Sequence, residues 1–140
     1  MAILGGGPPI GSSNSFTGTA EALELVGEHA YAYAGLKTES TNAEDQIKFT
    51  SGNYYFVGRL YLNGAATAGA TSGGDTTVEV KLNGSSVALI RVRSGADDQP
   101  STEYNDIIIP PYTEFACSVK SAATDADTSS LVLTGRIYRS

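Results

Sequence analysis

Between residues 76 and 92 the chain reads TTVEVKLNGSSVALIRV. Val78, Val80 and Leu82 alternate with Thr77, Glu79 and Lys81, a period of two that predicts a strand with one buried face. Asn83-Gly84 follows, and this pair tolerates the positive φ angles of a tight hairpin turn. The apolar run then resumes at Val87, Ala88, Leu89, Ile90 and Val92, so the segment predicts a β-hairpin. The same alternation returns along the chain. Residues 29–35 place Tyr31 and Tyr33 on one face and Ala30, Ala32 and Ala34 on the other. Residues 46–50 centre on Ile47 and Phe49. Residues 54–62 put Phe56, Gly58, Leu60 and Leu62 opposite Tyr55, Val57, Arg59 and Tyr61. A strand apolar on both faces is central or is covered by a neighbour, and Gly58 within it marks a bulge or a close approach.

Further along, residues 106–109 form a strand that Pro110-Pro111 ends, because proline lacks the ladder donor. Residues 112–120 turn Thr113, Phe115, Cys117 and Val119 inward. Residues 130–138 turn Leu131, Leu133 and Ile137 inward and Arg136 and Tyr138 outward. Residues 20–25 read either as a short helix capped by Thr19 or as a strand. Gly27 stops a helix too early for it to stand alone, which favours the extended form. Polar or glycine-rich loops are expected at 37–45, 63–74, 94–105 and 121–130. The prediction is an all-β fold, an eight-stranded antiparallel jelly-roll sandwich over residues 21–140.

Residues 1–20 differ from this pattern. Ile3, Leu4, Ile10 and Phe16 are isolated in a background of glycine, serine and the stiff Pro8-Pro9 pair. They predict a flexible or extended N-terminal arm, either a disordered tail or a segment whose apolar anchors order against a partner surface.

Composition narrows the function. The 140 residues include 16 glycines, as expected for a turn-rich β protein, and the formal net charge is −6. That charge argues against binding nucleic acid through its phosphates. The single cysteine excludes an internal disulfide, and its alternation with Phe115 and Val119 marks Cys117 as a core thiol. No apolar run is long enough for a membrane helix, and the start of the chain lacks the form of a signal peptide, so synthesis in the cytoplasm is expected.

Candidate chemistry is sparse. His29 is the sole histidine and has no nucleophile elbow near it in sequence. One His and one Cys do not make a zinc site. The acidic pairs Asp97-Asp98 and Asp125-x-Asp127 lack the register of a calcium loop, and Glu103 with Glu114 is a chance pair in an acidic chain. No enzyme activity, metal or cofactor is expected. The arginines are more informative. Arg59 shares a strand face with Tyr61, and Arg136 with Tyr138, a pairing suited to protein interfaces. Tyr31, Tyr33, Arg59 and Tyr61 are therefore candidate partner-binding residues alongside the four arm anchors.

Residues 50–64 (TSGNYYFVGRLYLNG), 77–91 (TVEVKLNGSSVALIR), 107–119 (IIIPPYTEFACSV) and 131–138 (LVLTGRIY) resemble jelly-roll structural proteins of tailed bacteriophages, in particular the cement or decoration proteins of the capsid. The resemblance implies a non-enzymatic virion protein that binds the major capsid protein, stabilises the shell and assembles as a homotrimer. The alternative is a receptor- or glycan-binding head domain of a phage fibre, since glycan sites stack sugars on aromatic rings and the chain has eight tyrosines.

Overall fold

The computed structural model describes residues 19–38, 42–65, 76–92, 101–121 and 128–139. The expected arm anchors Ile3, Leu4, Ile10 and Phe16, and the acidic pairs at 97–98 and 125–127, lie outside them. The described residues form nine strands: β1 (Glu24–Val26), β2 (His29–Thr38), β3 (Glu44–Thr50), β4 (Tyr55–Ala65), β5 (Thr76–Leu82), β6 (Ser85–Val92), β7 (Ser101–Ile109), β8 (Glu114–Ser121) and β9 (Thr128–Tyr138). They build two sheets, one of order β1-β2-β9-β4-β7 and one of order β3-β8-β5-β6. Every pairing between named strands is antiparallel.

This order follows from one folding rule. β5 pairs with β6, β4 with β7, β3 with β8 and β2 with β9, so the chain is a nest of hairpins around one tip. Rolling the nest up brings β4 against β9 and β5 against β8. The result is a jelly roll, as expected, with β1 added as a ninth strand beside β2. The tip is the Asn83-Gly84 turn, with φ of 51° and 83°. Two successive positive φ angles give the strand twist that a two-residue hairpin requires. The turn is also tied to β8, the strand beside β5 in the sheet. The Asn83 backbone N–H donates to the Glu114 carbonyl at 2.8 Å, and the Glu114 N–H donates to Asn83 Oδ1 at 2.9 Å.

The inward faces match the alternation of the sequence. Phe56, Leu60, Leu62, Leu131, Leu133 and Ile137 from the larger sheet meet Ile47, Phe49, Val78, Val80, Phe115, Cys117 and Val119 from the smaller one, all buried. Ala30, Ala32 and Ala34 are buried as well, and their small side chains let β2 lie close to the opposing layer. Phe49 and Phe115 pair across β3 and β8 with centroids 5.3 Å apart.

Several expected bounds change: β2 runs on to Thr38, β4 to Ala65, and β3 and β9 start two residues early, at Glu44 and Thr128. β7 begins at Ser101, five residues before the predicted start and inside an expected loop. Its first half is polar because β7 is an edge strand, bonded only to β4 within its sheet. β8 begins at Glu114 and not at residue 112, because Tyr112 adopts a φ of 53° in a turn. Ser51 holds that turn in place. Its Oγ–H donates to the Pro110 carbonyl at 2.7 Å, and its Oγ accepts the Thr113 N–H at 2.8 Å.

Candidate functional site

The outward face of the larger sheet gathers the residues that composition left unexplained. Directly opposed residues of antiparallel strands point to the same side, so the registers define the face row by row. One row runs Tyr33, Val132, Tyr61, Tyr104 across β2, β9, β4 and β7. The next runs Tyr31, Thr134, Arg59, Asp106, with Glu24 of β1 beside Tyr31. A third runs Val26, His29, Arg136, Val57, Ile108, and Tyr55 opposes Tyr138 at the end. Tyr31, Tyr33, Tyr55, Tyr61, Tyr104 and Tyr138 all belong to this face. It thus carries six of the eight tyrosines in the chain.

Arg59 organises the middle of the face. Its Nε–H donates to Asp106 Oδ1 at 2.7 Å, and its guanidinium carbon lies 4.5 Å from the centroid of the Tyr104 ring. A hydrogen bond to Tyr61, together with the bond and charge of Asp106, raises the Arg59 pKa above its ordinary value. Tyr61 and Tyr104 stand 5.8 Å apart between centroids, and Tyr31 and Tyr33 4.8 Å apart, both pairs tilted. Such tilted stacks hold each ring in place while leaving an edge or face accessible. Tyr33 is 39% exposed and Tyr104 54%. Above the tyrosine row, Thr102 Oγ1–H donates to Asn63 Oδ1 at 2.8 Å, which fixes the amide at the rim. Below it, Val57, Gly58, Arg59, Asp106, Ile107 and Ile108 line an open groove between β4 and β7.

The structure brings together the four candidates Tyr31, Tyr33, Arg59 and Tyr61. Sequence reasoning missed Tyr104 and Asp106, whose side chains complete the Arg59 site. Stepping back by twos from Ile108 would have found both, since Ile108, Asp106 and Tyr104 share one face.

The other candidates do not assemble. His29 is exposed on β2 opposite Arg136, which bonds Glu28 at 2.6 Å. Glu103 and Glu114 stand on different sheets. Cys117 is fully buried, and burial pushes its thiol pKa well up. Among the described residues, no group of three or more His, Cys, Asp or Glu side chains could hold a metal ion, and no helix is long and apolar enough to cross a membrane.

No known protein family matches the chain, and no curated protein matches it. Among solved structures, the chain is similar to one described as a family 35 carbohydrate binding module from an environmental isolate. The match has 20% identity and a TM-score of 0.41, and it covers 81% of this chain and 72% of that one. The expected membership of the phage decoration proteins is therefore corrected, and with it the role in binding and stabilising a virion capsid. The strand phrases that carried that resemblance are common to jelly rolls: alternating strands closed by Asn-Gly and Pro-Pro turns.

Proposed function

We propose that this domain is a non-catalytic module that binds a glycan on the outward face of its five-stranded sheet. The observation that supports this reading is the row Tyr33, Val132, Tyr61, Tyr104 with Arg59 laid over Tyr104 and bonded to Asp106. A pyranose ring presents C–H groups on its faces and hydroxyls around its rim. Tyrosine offers an apolar face and a polar tip in one side chain. The guanidinium fork and the carboxylate of Asp106 add donors and acceptors in a fixed plane. These groups stand on strands of a sheet and not on loops, so they are preorganised and little ordering entropy is lost on binding. Because the row crosses the strands, the bound chain runs across them, with Tyr33 and Tyr61 two strand spacings apart, roughly 9.6 Å.

The test is a glycan array probed with the full chain and with Tyr61→Ala and Tyr104→Ala. Retention on at least one polysaccharide, lost in both variants while each stays folded by circular dichroism, is the expected result. Equal retention by the variants would move the site elsewhere.

A second reading concerns the apolar end of the same face, where Val26, Tyr55, Val57, Ile108 and Tyr138 are exposed. Another copy of this chain seated there would bury this apolar end. Light scattering should then find an oligomer that Ile108→Asp converts to monomer.

A further inference from the structure

We infer that Asp106 makes the tyrosine face selective for neutral glycans and turns away uronates and sulfated sugars. This rests on the glycan-binding reading above and names its ligand class.

An arginine seated over an aromatic ring is, by its chemistry, a receptor for carboxylate or sulfate. Here Arg59 already has its anion. Asp106 accepts the Nε–H at 2.7 Å, and the guanidinium is further held by Tyr61 and by the Tyr104 ring. The other arginine of the face is matched in the same way, with Arg136 Nη2 donating to Glu28 Oε2 at 2.6 Å. The remaining titratable neighbours are His29 and Glu24, and Glu24 adds negative charge beside Tyr31. Around them the whole chain carries −6. Each described arginine of this face is thus held by a carboxylate, and an anionic sugar reaching Arg59 meets Asp106 at close range.

Neutral hydroxyls meet no such repulsion. They can accept from guanidinium N–H groups and donate to the second carboxylate oxygen while the ion pair stays closed. Both partners are substantially exposed, so the pair itself adds little to stability. Its consequence lies in discrimination, which an unfavourable charge can supply as well as a favourable contact. A like charge a few ångströms away in a solvated site should lower affinity for an anionic sugar on the order of tenfold.

Asp106→Asn tests this, because the amide oxygen can still accept from Arg59 while the charge is gone. The full chain and this variant are compared for retention on a neutral β-glucan and xylan against polygalacturonate and heparin. In parallel, the Arg59 Nε–H resonance is followed by NMR as D-glucuronate or sulfate is added. The wild type should favour the neutral polymers, and its Arg59 signal should stay in place. In Asp106→Asn the ratio of anionic to neutral retention should rise on the order of tenfold, the Arg59 signal should move with glucuronate, and both gains should shrink with added salt. Wild-type preference for polygalacturonate or heparin would overturn the selectivity and leave glycan binding standing. An Arg59 signal that moves equally in the two proteins would overturn the role of Asp106. Retention on none of the four polymers would sink the glycan reading of the face, while the Arg59 titration would still decide whether Asp106 blocks anions there.

Discussion

Gly58 of β4 and Gly135 of β9 face each other across the middle of the larger sheet, and the ring of Phe56 occupies the space that their side chains would take. A Cβ on Gly58 would stand 2.7 Å from the Gly135 Cα and 2.7 Å from Phe56 Cζ, and it would collide with the Thr134 carbonyl. A Cβ on Gly135 would stand 2.6 Å from the Gly58 Cα and collide with the Val57 carbonyl. The two carbonyls and the two facing Cα atoms are backbone, which cannot swing aside.

Gly58→Ala and Gly135→Ala should therefore each destabilise the fold by about 1–3 kcal/mol or more, the cost of overpacking. Urea titration at unchanged m-value measures it. A midpoint equal to that of the wild type would mean that β4 and β9 can part without loss.

Leu133 lies between Ala32 and Leu60 in the registers of β9 and is fully buried. Leu133→Ala should cost about 2–5 kcal/mol, depending on how far the cavity collapses. The same titration reads the loss, and a change below about 1 kcal/mol would place Leu133 outside the core.

Arg59 and Tyr104 should behave differently from the glycines and Leu133. Their pairing is exposed, and a cation–π contact at an exposed site adds little to stability. Arg59→Ala should thus shift the unfolding midpoint little, yet weaken retention on the preferred glycan tenfold or more. Loss of fold and loss of binding in equal measure would make Arg59 a structural residue.

Cys117 gives a pH signature. Burial raises its thiol pKa in the folded chain, whereas in the unfolded chain the thiol ionises near its ordinary value of about 8.5. Below that pH both states hold the proton and stability is fully present. As pH rises past it, only the unfolded state loses the proton, so stability falls. Cys117→Ser or Cys117→Ala should flatten the decline between about pH 8.5 and 10. In the native protein a thiol reagent should react only at the rate of opening.

The sequence made the sandwich legible wherever a strand buries one face. The alternation in residues 76–82, 112–120 and 130–138 placed Val78, Phe115, Leu133 and Ile137 correctly inward because water on one side and core on the other impose a period of two. It failed where that contrast weakens. The edge strand β7 carries Thr102, Glu103 and Asn105, which read as loop, so Tyr104 and Asp106 went unnoticed beside Arg59. β6 is the other sheet's edge, and its Val87 and Leu89 are 53% and 69% exposed although they look like core in a string of letters. The candidate face was half visible, as the tyrosines of β2 and the Arg59–Tyr61 pair. What joined them was a register between strands distant in sequence, and no local pattern encodes that.

The nested pairing also sets a timetable. Among the described residues of the nest, only the turn at Asn83-Gly84 joins partners that are neighbours in sequence, Leu82 with Ser85; outside the nest, β1 and β2 meet across a second short turn, Val26 with His29. Phe56 must find Ile109, Ile47 must find Cys117, and His29 must find Arg136 near the far end of the chain. Each such meeting closes a loop whose entropic cost grows with its length, and every inner pair already formed shortens the loop left to the next. Folding should therefore start at the tip and proceed outward, at the slow end of the range for small domains, milliseconds to seconds. The tyrosine face is drawn from β4 and β7, the second pair of the nest, and from β2 and β9, the outermost. It is complete only when the last and longest loop has closed.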